Sequence, residues 1–108
     1  MGKAVARKSE IDTVASPDGT GDCCVDPTTQ ATEIGSSNVF VNSIGVVRKG
    51  DPMKTHLFPG PCCNPHAPPL TTCSSSVFVN GQGIGRVGDA YGGDHIITSG
   101  SPTVFAGG

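Results

Sequence analysis

The hydrophobic positions of this chain fall in short blocks of β-branched and aromatic residues between turn-forming residues. The block at 38–41 is the first clear strand, and a second Val-Phe-Val block occupies 77–79. Each block runs into a turn, and the turn residues are Asn42 with Ser43 and Asn80 with Gly81. An Asn-Gly pair favours a hairpin because both central positions of a type I′ turn need positive φ. The pattern therefore predicts short β-hairpins, and no segment combines a helical period with helix end signals.

These hairpins belong to an internal repeat. Residues 35–51 match residues 73–89 without a gap, and ten of the seventeen positions are identical. A third copy starts at residue 100, and its second half is residues 2–10, which align with 81–89. The arginines that then occupy equivalent places are Arg7, Arg48 and Arg86. A repeat divided between the two ends of the chain predicts a closed object of about three-fold symmetry.

Three segments without clear periodicity separate the hairpins, and we predict that residues 11–34, 52–72 and 90–99 are loops. The middle segment contains six of the nine prolines, and proline stiffens an irregular path because it fixes φ. A long loop without secondary structure usually has a function, so 52–72 is expected to be a rigid functional loop. Glycine recurs within the second hairpin, which predicts that backbones approach closely around an axis.

Composition limits the size of the core. The 108 residues include sixteen Gly and nine Pro but only four Phe, one Tyr and no Trp, and aromatic side chains contribute the most buried area. One small domain with so thin a core usually needs disulfides, a metal or oligomerisation. The net charge of −2 and the lack of a basic stripe argue against nucleic-acid binding. No apolar run approaches the length of a membrane span, and the first residues lack the apolar core of a secretory signal.

Histidine and cysteine are the residues that could supply such a disulfide or metal site. His56, His66 and His95 lie between the hairpins, as do four of the five cysteines: Cys23, Cys24, Cys62 and Cys63. If the repeats surround an axis, equivalent loops meet at one end, where Zn²⁺ would find the four N or S ligands that it needs. The alternative for each His is a solvent-exposed loop residue. The alternatives for the cysteines are disulfides between the two adjacent pairs, or buried thiols.

Cys73 and two aspartates have simpler structural interpretations. Cys73 takes the repeat position that Gly35 and Gly100 hold in the other copies, which predicts a packing role at the start of a strand. Asp51 and Asp89 occupy equivalent turn positions, which predicts a structural role in the turn. No Gly-x-Ser-x-Gly motif is present, and a metal with four protein ligands has no open position for a substrate. The sequence therefore predicts that the protein is not an enzyme.

The repeat resembles the PAAR-repeat family, which is named for Pro-Ala-Ala-Arg. The resemblance covers nearly the whole chain and rests on Ser-Ser-Val-Phe-Val-Asn-Gly, a short strand ending in Arg-x-Gly-Asp, and Gly-Ser-Pro-Thr-Val-Phe. The tetrapeptide itself is degenerate, since only Arg is kept at 4–7, 45–48 and 83–86. The resemblance implies that residues 1–108 form a single PAAR-repeat domain. Its fold would be all-β: a small pseudo-three-fold cone of short hairpins with long loops, a metal-pinned vertex and no significant helix.

The resemblance also implies the ligands of one structural metal ion, usually zinc, with iron as the other candidate. Members of the family typically hold it with three His and one Cys, so the likeness assigns His56, His66 and His95. Cys24 stands eleven residues before Gly35 and matches the fourth ligand best. The other cysteines that stay open for this place are Cys23, Cys62, Cys63 and Cys73.

Members of the family cap the spike of contractile phage tails and of type VI secretion systems. The resemblance therefore implies a monomer that sits on the tip of a trimeric β-helical spike protein and helps to pierce the outer membrane of a target cell. It implies a place in the tail baseplate of a virion, or secretion through a type VI system, and the short polar ends predict a stand-alone tip. The alternative is a small secreted disulfide-rich binding or toxin module. One tightly held zinc with mostly free thiols favours the tip, and metal-free protein with two disulfides favours the module.

Overall fold

Short strands of two to four residues make up the fold in the computed structural model, which describes residues 2–16, 28–57 and 65–107. These ranges contain no helix, so the predicted all-β class is confirmed and no described helix could cross a membrane. The strands are β1 (Lys3–Ala4), β2 (Thr13–Ser16), β3 (Thr28–Ala31), β4 (Phe40–Val41), β5 (Ile44–Gly45), β6 (His56–Leu57), β7 (Pro65–His66), β8 (Phe78–Val79), β9 (Gln82–Gly83), β10 (Ala90–Tyr91), β11 (His95–Ile97) and β12 (Phe105–Ala106).

Three equivalent hairpins, which we call the base hairpins, come from the predicted repeat. β4 pairs with β5 and β8 pairs with β9, both antiparallel. The third base hairpin joins the two ends of the chain, because β1 pairs with β12 in the same way. Asn42 and Asn80 each have a φ of 54°, the left-handed conformation that the tight turn requires. The hairpins and the division of the third copy between the termini are confirmed, although the strand predicted at 38–41 covers only Phe40–Val41.

A ring of three backbone hydrogen bonds lies at the centre of the repeat. The amide of Ala6 donates to the carbonyl of Gly85 at 2.9 Å, and the amide of Gly85 donates to Val47 at 2.8 Å. The amide of Val47 closes the ring by donating to Ala6 at 3.0 Å. A Cβ on Gly85 would also lie 3.3 Å from the backbone carbonyl oxygen of Val47, so the predicted close approach of backbones around an axis is confirmed here. We call the segments around Ala6, Val47 and Gly85 the axial ring.

An Arg–Asp pair ends each segment of the axial ring. The Asp accepts from both the backbone amide and the guanidinium of its Arg, which raises the pKa of that Arg above its ordinary value. Asp51 and Asp89 play this part for Arg48 and Arg86, which confirms their structural role in the turn. The partner of Arg7 is Asp12, not the Glu10 that the alignment of 2–10 with 81–89 places there. The alignment was wrong at this position because the turn contains two more residues.

The three segments predicted to be loops contain antiparallel hairpins, which we call the arms. β2 pairs with β3, β6 pairs with β7 and β10 pairs with β11. The prediction of loops over 11–34, 52–72 and 90–99 was therefore wrong for much of their described parts. Small and polar residues such as Ala, Thr and His dominate these strands, so they lack the apolar alternation that indicates a strand in a sequence. The arms join one another through pairing of β11 with β2 and through the bridges Thr32 to Met53 and Leu70 to Tyr91.

Two hydrophobic clusters pack on opposite sides of the axial ring, because successive side chains of an extended segment point to opposite faces. The cluster between the arms contains Ala6, Val14, Val47, Met53, Leu70, Tyr91 and Ile97. The cluster beneath the base hairpins contains Val5, Val41, Val46, Val79, Ile84 and Ala106. The arms therefore project from one side of the axial ring and the base hairpins from the other.

Candidate functional site

The three histidines all lie on strands of the arms. His56 is in β6, His66 is in β7 and His95 is in β11. His56 and His66 are directly opposite each other in the β6–β7 pairing, which brings their backbones together. The side chain of His56 lies outside the part of the structure that is described. The backbone register nevertheless places all three predicted histidine ligands on two neighbouring arms.

The rings of His66 and His95 are close enough to share a metal ion. Their centroids are 5.5 Å apart and their planes are inclined by 66°. Zinc bonds to imidazole nitrogen at about 2.0–2.1 Å, and tetrahedral geometry then separates two ligand rings by roughly 5 Å between centroids. His95 is only 2% exposed and His66 is half-buried, so solvent is largely excluded from the His95 side of the pair. The two side chains therefore fit two corners of a zinc site.

An acidic side chain contacts His95 from outside the pair. Asp94 Oδ1 lies 2.6 Å from His95 Nδ1, a distance at which the ring nitrogen and the carboxylate share a hydrogen bond. The side chain of Asp94 is 63% exposed, in contrast with the buried ring that it contacts. Asp94 is among the aspartates that could be expected from the sequence to pair with a His, although the sequence alone does not assign it to His95. The signal for it was its place directly before a candidate ligand.

The cysteines divide into one described residue and four that lie outside the described ranges: Cys23, Cys24, Cys62 and Cys63. Cys73 is a free thiol that packs against the cluster between the arms. Its Sγ also lies where a Cβ on Gly83 would stand, which confirms the packing role predicted for it. Among the described side chains no group of three or more potential ligands converges on one point. The fourth ligand, and the full set of four, therefore stay predictions.

The base hairpins present a set of exposed aromatic side chains at equivalent positions. Phe40, Phe78 and Phe105 are 56%, 60% and 58% exposed, although a phenyl ring is among the side chains most favoured in a core. The next residue of each strand is buried, so each hairpin has one face on the core and an aromatic ring on the other. Because the rings follow the three-fold repeat, they lie at one level around its axis, on the base-hairpin side of the axial ring. The Val-Phe-Val alternation contains this signal, which sequence analysis used only to predict strands.

A polar network of three equivalent contacts holds the base hairpins to the axial ring. Asn42 Oδ1 accepts from Arg7 at 3.2 Å and from Ser101 at 2.6 Å. Asn80 Oδ1 accepts in the same way from Arg48 at 3.0 Å and from Ser36 at 2.8 Å. In the third copy the backbone carbonyl of Gly107 replaces the Asn amide, and the donors are Arg86 and Ser74. The three hairpins are therefore held alike, even though one of them is made by the two ends of the chain.

Two comparisons with known proteins found no relative of this chain. No protein-family model matches it, and no curated protein sequence matches it. The functional interpretation therefore rests on the residues and the geometry described above.

Proposed function

We propose that this protein is a PAAR-repeat spike tip: a structural cap on the trimeric β-helical spike of a contractile injection machine. In this proposal the base hairpins bind the blunt end of the spike, and the arms taper to a metal-stabilised point that helps to pierce the target outer membrane. The machine would be a phage tail baseplate or a type VI secretion system. The protein would act mechanically and not as an enzyme.

The observation that carries the proposal is the set of equivalent Phe side chains on the base. Phe40, Phe78 and Phe105 occupy the same place in three hairpins that surround the axial ring. Exposed apolar side chains grouped on one face mark an interaction surface. A single chain with three equivalent contact points matches a partner whose three identical chains surround one axis. The occupant that fits this surface is the end of a trimer.

The strand edges of such a trimer supply a second reason for a cap. Strands that end without a neighbour leave unpaired amide and carbonyl groups, which are prone to non-specific pairing. A closed cap with three quasi-equivalent hairpins would cover the three ends together. The polar network around Asn42, Asn80 and Gly107 supports this role because it holds the three hairpins rigidly in equivalent positions.

A metal ion would stabilise the point that the arms form at the other end of the molecule. Zinc is the preferred candidate and iron is the alternative. His66 and His95 fit two ligand positions, and His56 and Cys24 are proposed for the others, with Cys23, Cys62, Cys63 or Cys73 as substitutes for Cys24. A bound structural zinc contributes about 10–16 kcal/mol of apparent free energy in small domains, more than a thin core supplies. The ion would keep the arms together while the tip is driven through an envelope.

The proposed partner is tested by measuring the stoichiometry of the complex. The protein is mixed with the trimeric spike protein of the same genome, and native mass spectrometry counts the chains. We expect one copy of this chain for three spike chains. Phe78→Ser should weaken the complex by about ten-fold to one hundred-fold, since burying a Phe is worth about 1.5–3 kcal/mol.

Ile11→Ser is the matched control, because Ile11 is an exposed apolar residue that lies before β2 and away from the base hairpins. It should leave the affinity within two-fold of the unmodified protein. A complex with three copies of this chain per trimer, or equal effects of Phe78→Ser and Ile11→Ser, would overturn the proposed docking face.

A further inference from the structure

We infer that Asp94 is a positioning residue that orients the ring of His95 so that Nε2, and not Nδ1, is the atom that binds the metal. This inference rests on the proposed metal-stabilised point and adds to it the atom through which His95 acts. The contact that carries it is the 2.6 Å approach of Asp94 Oδ1 to His95 Nδ1.

The chemistry of the two groups decides which ring nitrogen of His95 carries the proton and which carries the lone pair. An ionised carboxylate only accepts hydrogen bonds, so at this distance His95 must donate from Nδ1. A neutral imidazole has one protonated nitrogen, and its lone pair is then on Nε2. A metal-bound His commonly donates its other nitrogen to a carboxylate, which sets the tautomer and raises the basicity of the ligand.

The placement of Asp94 in the fold separates this role from a packing role. Its side chain is 63% exposed, whereas the ring of His95 is 2% exposed, so the carboxylate contributes little to the core. The preceding residues Gly92 and Gly93 have φ of 62° and 91°, the left-handed conformations that make the turn between β10 and β11 directly before Asp94. The turn thus brings a charged, solvent-exposed group to the outer nitrogen of a buried ring.

The contact between His66 and His95 explains why the orientation of the His95 ring would matter for metal binding. The rings lie 5.5 Å apart at 66°, so a rotation of the His95 ring about its Cβ–Cγ bond would move its donor nitrogen away from the point that the two rings share. A hydrogen bond at Nδ1 opposes that rotation. Asp94 therefore reduces the conformational freedom that the metal would otherwise have to remove on binding.

The test compares zinc affinity and ring chemistry in the whole chain. Wild type, Asp94→Asn, Asp94→Ala and the control Glu10→Gln are titrated with zinc against a chromophoric chelator. Glu10 is an exposed carboxylate that pairs with Lys54 instead of a histidine, at 3.1 Å. Loss of an outer carboxylate typically lowers metal affinity about ten-fold to one hundred-fold, which is the effect expected for Asp94→Ala. Asp94→Asn keeps an acceptor oxygen and should lose less, and Glu10→Gln should stay within two-fold.

A spectroscopic readout distinguishes positioning from general destabilisation. In the zinc-loaded protein, long-range proton–nitrogen correlation spectra should show His95 protonated at Nδ1 and bound through Nε2. The Nδ1 proton should exchange slowly with water in wild type and fast in Asp94→Ala. Binding of His95 through Nδ1, or equal zinc affinity in wild type and Asp94→Ala, would overturn the inference while leaving the metal-stabilised point intact. Wild type that does not bind zinc would overturn both.

Discussion

At the scale of single residues, Tyr91 is the most unusual member of the core. Its ring is fully buried between the arms, yet no described residue forms a hydrogen bond with its hydroxyl. A buried hydroxyl without a partner costs about 1–3 kcal/mol. Burial raises the pKa of Tyr91 above its ordinary value, and the charges of Asp51 and Asp12 act in the same direction.

Tyr91→Phe should therefore leave the free energy of unfolding unchanged or raise it by about 1 kcal/mol, because it removes the unpaired hydroxyl and keeps the ring. Urea denaturation of both proteins at neutral pH measures the difference. A loss of more than 1 kcal/mol would mean that the hydroxyl has a partner.

The same pair of proteins should differ in their response to alkaline pH. The folded state holds the Tyr91 proton more tightly than the unfolded state, whose Tyr has a pKa of about 10. The contribution of this proton to stability is complete below pH ~10 and is lost above it, at up to ~1.4 kcal/mol per pH unit. Denaturation at pH 9 to 11.5 should show a steeper loss in wild type than in Tyr91→Phe, and parallel curves would contradict the prediction.

Some residue roles could be predicted from the sequence and others could not. Asp51, Asp89 and the packing role of Cys73 followed from equivalent positions in the repeat, since equal sequence implied equal contacts. Asp12 could not be predicted because two more residues in its turn displace it from the equivalent position. Of the proposed ligands, the structure brings His66 and His95 together, and repetition indicated only that their segments converge.

At the scale of elements, each copy of the repeat has one junction at which two of its own backbone segments come close together. In each junction two facing positions share room for about one small side chain: Cys73 faces Gly83, and Ala4 faces Gly100. In the remaining junction both positions are glycine, and the aliphatic stem of Lys8 lies over them. The glycines that weaken these strands as isolated elements are therefore what allows the two segments of each copy to approach.

This arrangement predicts the outcome of a double-mutant cycle. Gly83→Ala should cost about 1–3 kcal/mol of unfolding free energy, because its Cβ would meet Cys73 Sγ and the backbone carbonyl of Ser74 at 2.6 Å. Adding Cys73→Gly recreates the glycine and alanine combination of the junction between Gly100 and Ala4, and it should recover at least ~1 kcal/mol of that cost. Gly107→Ala is the control and should be neutral, since no atom lies within 4 Å of its Cβ position. Additive losses in the cycle would show that the two positions do not share space.

The prediction of secondary structure failed for the strands of the arms, where the hydrophobic core is narrow. The base hairpins were predictable because Val-Phe-Val and Asn turns carry local signals. The sequence predicts loops for the arms because their strands consist mostly of small and polar residues and bury few large side chains, such as Val14 in β2 and Tyr91 in β10. Pairing between distant arms, as in the bridge from Thr32 to Met53, depends on closure of the whole repeat and is not visible in any local window.

At the scale of the whole molecule, the chain is closed around an axis by its backbone and stabilised by two small clusters. The three hydrogen bonds of the axial ring join segments that are far apart in sequence, at Ala6, Val47 and Gly85. The described part contains few large core side chains beyond Met53, Leu70 and Tyr91, so a further source of stability is expected. The position of His66 and His95 on neighbouring arms makes a shared metal ion the proposed source.

The most direct test of this account is one sample in which both zinc and reactive thiols are counted per chain, for wild type and for His95→Ala. The account predicts one tightly held zinc and mostly free thiols in wild type, with loss of zinc and a sharp fall in melting temperature in His95→Ala. Glu10→Gln is the control: it removes an exposed carboxylate that pairs with Lys54 at 3.1 Å and should keep the zinc. Metal-free wild type with two disulfides and a melting temperature unchanged by His95→Ala would contradict the account and favour a disulfide-stabilised module.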